Sequence, residues 1–421
     1  MAKTKKTTFK VFDYMHCDDF AKYLERMAAK GWHFKEWGAG FKFEKGEPKQ
    51  VTYAVEVFTK ASENDLRPEA KTQEFAQYCE AAGWKLIDAK QKFCIFRKND
   101  ENAVDILTPE ERVENSFKGI VSGSNIILLI LYGLNAALQF RNMFGSMFSY
   151  SIFSTISFFN ISAWTFLFLT QLIKITYAVI SKRKLWKRIK NGQEIYIGSN
   201  KDGKKRWNGH FFSTMFLCML FLFMLVMLED NTLMIYYVVI FAGTFIFCLI
   251  LAKVRPDADT NMAIQVVFVI VYCFIVILIP IIILSGRQED KKKLENVPLQ
   301  ISDYRQDFGV LEGVSDSYER NMLGSRESYF LYGTGENIHY QIYRSKCDWI
   351  LNRIWEEEID EKYNENKTDC KEAWEAESAF RNEGGDYYVR YEDAVLIFCD
   401  NENIYLDSNQ ISIIRDKLQL R

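Results

Sequence analysis

The residues that could do chemistry in this chain are scattered. Nine cysteines and four histidines (His16, His33, His210, His339) are present. No two cysteines are spaced C-x-x-C, and no Cys/His group has the spacing of a zinc site. Small apolar cysteines in cores and membrane helices account for that distribution. The stretch GSNKDGKK, residues 198–205, approaches the phosphate-loop pattern GxxxxGK[ST]. Lys205 stands where that loop needs its magnesium-binding hydroxyl, and no βαβ unit surrounds it. A hairpin, EIYIGSNKDGKKRW, is the simpler reading. The acidic run EEEIDE reads as a solvated helix face, with a cation site as the alternative. No nucleophile elbow, HExxH or kinase signature occurs. The chain is therefore expected to be no enzyme and to need no cofactor.

Two sets of residues could bind rather than react. The run SKRKLWKRIKNGQ carries Lys182, Arg183, Lys184, Lys187, Arg188 and Lys190 around Trp186. Beside an apolar run, such a basic loop contacts anionic lipid or sets topology, in preference to nucleic acid. The net charge of −2 also suggests no nucleic-acid partner. The second set is Trp32, Trp37, Tyr53, Glu56 and Trp84. Aromatics with one acid could line a cleft for a small apolar ligand, or the tryptophans could simply be core residues.

The elements that must hold these residues begin with a repeat. AAKGWHFKEWGAGFKF (28–43) and AAGWKLIDAKQKFCIF (81–96) look like copies. The first copy reads as a strand over 8–13, a helix over 17–30 capped by Asp18 or Asp19 and ended by Gly31, then two strands. The second repeats the order, with a helix shorter by three residues. Trp32 to Phe41 and Trp84 to Phe93 have the same spacing. One β-α-β-β unit leaves a sheet edge and face uncovered; two bury what neither buries alone.

Five apolar runs follow, about 120–140, 152–180, 210–228, 233–252 and 264–284. Each approaches the roughly 20 residues that cross the hydrocarbon core, and none shows a polar stripe. Lys174 in the second run snorkels to the near interface or marks a polar site inside the bundle. The basic connections after the second and fourth runs belong on the cytoplasmic side, with the N-terminus. MAKTKKTTFK is basic, and no apolar signal region follows it. Five spans then put the C-terminus outside, although GRQEDKKK after the fifth run is basic. Residues 295–421 read as a third domain. It has paired strands over 328–344 and a helix whose apolar side is Trp349, Ile350, Ile354, Trp355 and Ile359. A hairpin around Asp400–Asn403 and a closing helix follow. Outside the cell, Cys347 and Cys370 could pair.

The fold expected is thus an α+β N-terminal domain (1–100, duplicated β-α-β-β), an all-α transmembrane bundle of about five helices (118–285), and a small α+β C-terminal domain (295–421), extracytoplasmic by the span count. The stretch FKVFDYMHCDDFAKYLERMAAKGWHF, the tryptophans after the helices and the apolar region beyond resemble the bacterial membrane proteins classed as domain of unknown function 2812, best over residues 8–100. That resemblance implies a cytoplasmic N-terminal domain on a membrane anchor, with a hint of envelope or stress responses. It implies no activity and no functional residue. The duplicated order is also similar to two-lobed ligand-binding domains of bacterial multidrug-sensing regulators, which hold apolar cations between lobes. A plasma-membrane sensor or accessory protein, with a protein partner or small apolar ligand on its cytoplasmic domain, is the function expected. A transporter, or an accessory subunit of one, is the alternative, although internal helix symmetry and intramembrane charges are sparse.

Overall fold

The computed structural model describes residues 4–145, 147–198, 231–285, 297–305, 311–333, 337–360, 367–400 and 405–420. The chain divides into two compact units: Met1–Gly133 with Thr165–Ile281, and Leu134–Trp164 with Ile282–Arg421.

The first unit opens with the repeat. β1 (Lys5–Thr8), α1 (Cys17–Ala28), β2 (Trp32–Trp37) and β3 (Phe41–Lys45) are followed by β4 (Tyr53–Val57), α2 (Ala70–Ala81), β5 (Trp84–Lys90) and β6 (Phe93–Lys98). Each copy makes its own three-stranded antiparallel sheet, ordered β1-β3-β2 and β4-β6-β5. The copies share a defect as well as a plan. The β2/β3 register breaks between Phe34 and Glu36, and the β5/β6 register breaks between Leu86 and Asp88, one bulge at matching positions. Both helices have 12 residues, so the second is not shortened as expected. Both end at a glycine with positive φ, Gly31 at 77° and Gly83 at 89°.

The first strand lies earlier than its sequence suggested. Residues 9–13 leave the sheet because Phe12 stacks on Phe20, with ring centroids 4.5 Å apart. Asp13 then accepts a hydrogen bond from the Met15 N–H at 2.9 Å and caps a single turn of 3-10 helix, Tyr14–His16, ahead of α1. Asp18 and Asp19 are therefore not caps. They sit in the first turn of α1, where the helix dipole favours acids. The largest core joins α1 to both sheets: Phe20, Leu24 and Met27 pack with Phe34, Phe41 and Phe43 of one and with Val55, Val57, Phe93 and Ile95 of the other. A second core, with Cys79, Trp84, Ala89, Cys94 and Phe96 buried in it, lies between the second sheet and α2.

This domain does not close at residue 100. α3 (Pro109–Ile120) begins with a capping box between Thr108 and Glu111. It contributes Val113 and Ile120 to the large core. α4 (Gly123–Phe144) and α6 (Thr155–Lys190) follow, with α5 (Phe148–Ser151) between them. α6 has 36 residues, so Lys182–Lys190 are helix rather than the loop expected. Their apolar members, Leu185, Trp186 and Ile189, pack on the domain core, and that burial carries the helix onward. α7 (Asn231–Val254) and α8 (Ala258–Ser285) match the fourth and fifth apolar runs. The third run, 210–228, and the 198–205 motif beyond Gly198 lie outside the described residues.

Two helical stretches are long and apolar enough to cross a membrane, Pro109–Phe144 and Ser157–Lys190; Val238–Val254 and Ala258–Tyr272 are shorter apolar helices. α4 and α6 touch where Gly133 meets Phe168. There Gln171 also donates to the Asn125 carbonyl (3.0 Å) and side-chain oxygen (3.2 Å).

The second unit is built on one sheet. Its elements are α9 (Ile301–Tyr304), β7 (Leu311–Asn321), β8 (Gly324–Gly333), β9 (Asn337–Arg344), α10 (Asp348–Asp360), β10 (Thr368–Asp369), α11 (Lys371–Trp374), β11 (Ser378–Arg381), β12 (Tyr387–Arg390), β13 (Ala394–Asp400) and α12 (Ser408–Leu418). The strands pair antiparallel in the order β10-β11-β12-β13-β9-β8-β7. Tyr340, Ile342, Leu396 and Phe398 pack with α12 on one face; Tyr343, Val395 and Ile397 pack with α10 and with Phe148, Ile152 and Phe153 on the other. Several expectations need correction. β12 and β13 pair as a hairpin turning at 391–393, and β13 runs on to Asp400; residues 401–403 of the expected turn lie outside the described residues. Ile350 and Ile354 are buried, but Trp349 is 54 % exposed. Glu357 is no mere solvated acid: it accepts the Phe148 and Ser149 N–H groups at 3.2 and 2.8 Å. Cys347 and Cys370 are free thiols. They pack in the cores on opposite faces of the sheet, so no disulfide joins them.

Candidate functional site

Two acidic positions, one in each copy of the repeat, each take hold of a different connection between apolar helices. In the first copy, Asp18 and the residue Ile197, just beyond α6, exchange two hydrogen bonds. The Asp18 carboxylate accepts the Ile197 N–H at 2.6 Å, and the Asp18 N–H donates to the Ile197 carbonyl at 3.0 Å. Beside them the Tyr196 hydroxyl donates to Asp19 at 2.7 Å, with the Lys22 ammonium 4.3 Å above its ring. Among the described residues the segment EIYI pairs with no strand, and the start of α1 holds it instead.

Arg112, from α3, ties this contact to the second copy. Its Nη2 donates to Asp18 at 2.7 Å, and its Nε donates to both Glu56 oxygens at 2.9 and 3.1 Å. Glu56 is almost wholly buried. Burial pushes its carboxyl up to about 7, against the pull of Arg112, which lowers it. A guanidinium shared between two carboxylates is held in a fixed plane, as its fork geometry favours.

In the second copy the acid is Asp88, beside the bulge in β5 and almost wholly buried. Its Oδ2 accepts the Trp37 N–H at 2.6 Å. Arg255, in the short connection between α7 and α8, donates to its two oxygens at 3.1 and 2.9 Å. The same guanidinium reaches the Ala89 carbonyl at 3.0 Å and the Leu66 carbonyl. Arg255 takes φ of 53° to do so, a left-handed conformation that costs a non-glycine residue about 1–2 kcal/mol. Six residues on, buried Asn261 donates to the Asn64 carbonyl at 2.8 Å.

The expected ligand-cleft residues are placed as follows. Trp32, Trp37 and Tyr53 belong to the large core. Trp37 packs its ring on Phe41 and Phe93, with centroids 4.8 and 5.7 Å away. Trp84 belongs to the other core and donates its indole N–H to the Val104 carbonyl at 2.6 Å. Glu56 faces Arg112. The structure thus divides the four aromatics between two cores and turns the acid to Arg112. Lys174 lies within the field of the Asp13 and Glu63 carboxylates. Of the basic set, Lys182 pairs with Glu114 at 2.7 Å and covers the Phe117 ring at 4.1 Å. Arg183, Lys184, Lys187 and Lys190 are exposed. Among the described residues, no group of three or more His, Cys, Asp or Glu side chains could hold a metal ion.

Sequence reading passed over Arg112, Asp88 and Arg255. Asp88 had a signal, an acid following Leu86 and Ile87 in the strand WKLIDA. Arg255 entered only within a basic connection, and Arg112 sits in a stretch, PEERVENS, that lies between the expected domains and carries no motif.

Residues 17–131 match the family described as Protein of unknown function (DUF2812). The match runs from α1 through the second copy and α3 into α4. No curated protein and no solved structure matches the chain.

Proposed function

We propose that the chain is a multi-pass protein of the plasma membrane whose duplicated N-terminal domain, on the cytoplasmic side, takes up a protein partner or a small apolar ligand and passes that state to the helices. The observation that carries this reading is the division of labour between the copies: Asp18 and Asp19 hold the connection after α6, and Asp88 holds the connection between α7 and α8. A ligand that changes the fit of one copy on the other then pulls differently on two membrane exits, which is the differential contact a transmitted change requires.

The membrane reading is supported by where apolar surface lies. Ile127, Ile130 and Leu134 of α4, and Val266, Val267 and Phe274 of α8, are more than half exposed, as side chains facing lipid would be. The helix ends beside the connections held by the repeat carry Lys253 and the Lys182–Lys190 cations, and Arg255 lies in one of the connections, which suits a cytoplasmic face. The other ends of α4 and α6 meet at α5, within the second unit. If both helices cross the bilayer, that unit is extracytoplasmic.

The grip is tested by hydrogen exchange on the full chain in detergent. Removing one partner of a buried ion pair costs about 3–5 kcal/mol. Arg255→Ala should therefore speed exchange in residues 62–67 and 256–262 by about a hundredfold to a few thousandfold, with Lys49→Ala, at an exposed site, as the silent control. Unchanged exchange in both segments would remove the coupling from the proposal.

A further inference from the structure

The geometry points to a binding groove for an anionic phospholipid headgroup, built between α3 and the last three turns of α6. A cavity of about 500 Å³ is lined there by Phe117, Val179, Lys182, Arg183, Trp186, Lys187 and Lys190. The six α6 residues are spaced 3, 1, 3, 1 and 3, which puts them on one face of the helix. Phe117 and Trp186 give the groove an aromatic floor, and both pack against the domain core. Lys182 is anchored at one side by Glu114. Arg183, Lys187 and Lys190 are exposed along the rim and make no ion pair among the described residues.

Position selects the occupant. The 36 residues of α6 rise about 54 Å at 1.5 Å each, well beyond the roughly 30 Å of hydrocarbon. Apart from Lys174, its cations begin at Lys182, just past the apolar part that ends at Ile180, so the rim sits at headgroup height on a crossing helix. A phosphate there meets three cations, and an acyl chain can descend along the apolar face that continues below. Trp186 is of the residue type enriched at that depth. A soluble phosphate compound gains the charges but nothing from the apolar continuation, so the groove favours a lipid.

This inference rests on the reading that α6 crosses a membrane, and the experiment separates the two. The full chain is first extracted from membranes with and without detergent. It is then examined by native mass spectrometry with phosphatidylglycerol or phosphatidylcholine of matched acyl chains. The expected result is a detergent-requiring protein that retains phosphatidylglycerol about tenfold better. The variant Arg183→Gln/Lys187→Gln/Lys190→Gln should lose that preference without a change in unfolding temperature. Lys30→Gln/Lys49→Gln/Lys85→Gln, at exposed sites elsewhere, should keep it. Equal retention of the two lipids, an unaffected rim variant, or glycerol phosphate binding as tightly as the lipid would each overturn the groove while leaving the membrane reading in place. Recovery of the protein in solution without detergent would overturn both.

Discussion

At the scale of single residues, the chain's unusual chemistry is buried charge held in pairs. Glu56 shows how burial and pairing compete. Its carboxyl is up at about 7 from an ordinary 4.5 although Arg112 touches both oxygens, so the loss of water outweighs the ion pair. Between those values the folded protein holds a proton that the unfolded chain has released. Stability contributed by Glu56 is therefore full below about 4.5 and falls as pH rises through 7. In thermal unfolding, the wild-type protein should lose stability relative to Glu56→Gln between pH 5 and pH 8. A difference that stays flat across that range would show that Glu56 is already ionised. Burial also pushes the Cys79 thiol up to about 12, which suits a core thiol rather than a reactive one. Pairing partners of this kind are hard to read from sequence. Asp18 with Arg112, and Asp88 with Arg255, are far apart in the chain, and only the tertiary fold makes each acid a partner.

At the scale of elements, much of the repeat was legible. Glycine followed by tryptophan marked both helix ends, because a left-handed residue must close each helix and a large apolar one must turn back onto it. Gly31 and Gly83 meet that need, and both are crowded. A Cβ on Gly31 would lie 2.7 Å from the Gly46 carbonyl oxygen, and one on Gly83 2.7 Å from the Ala103 Cβ. Gly31→Ala and Gly83→Ala should each lower stability by about 1–2 kcal/mol from backbone strain alone, with the clash added, as read by chemical unfolding. A neutral result at either site would mean that the helix ends differently there. What was not legible is where elements stop. The first strand ended early because the pull of Phe12 into the core outweighed the alternation TFKVFD. The basic run became helix because Leu185, Trp186 and Ile189 found a core to bury in. β7 escaped notice because its polar residues, GVSDSYERN, lack the apolar alternation of a half-buried strand.

At the scale of the whole molecule, two compact units share one chain, and α4 and α6 each begin in one and end in the other. Apolar runs made the membrane reading possible from sequence alone, since length and hydropathy are local properties. How the soluble parts use those helices was not local. It depends on Ile197 and Arg255 reaching acids some 170–180 residues earlier in the chain. The proposed topology puts the repeat and the C-terminal sheet on opposite faces of a bilayer, with the repeat inside. The most direct measurement attaches to Arg421 a reporter that is active only outside the cytoplasm, and in a parallel strain one active only inside. The account predicts activity from the first and none from the second. Activity from the inner reporter alone would contradict it, placing both folded units in the cytoplasm and leaving an even number of crossings between them.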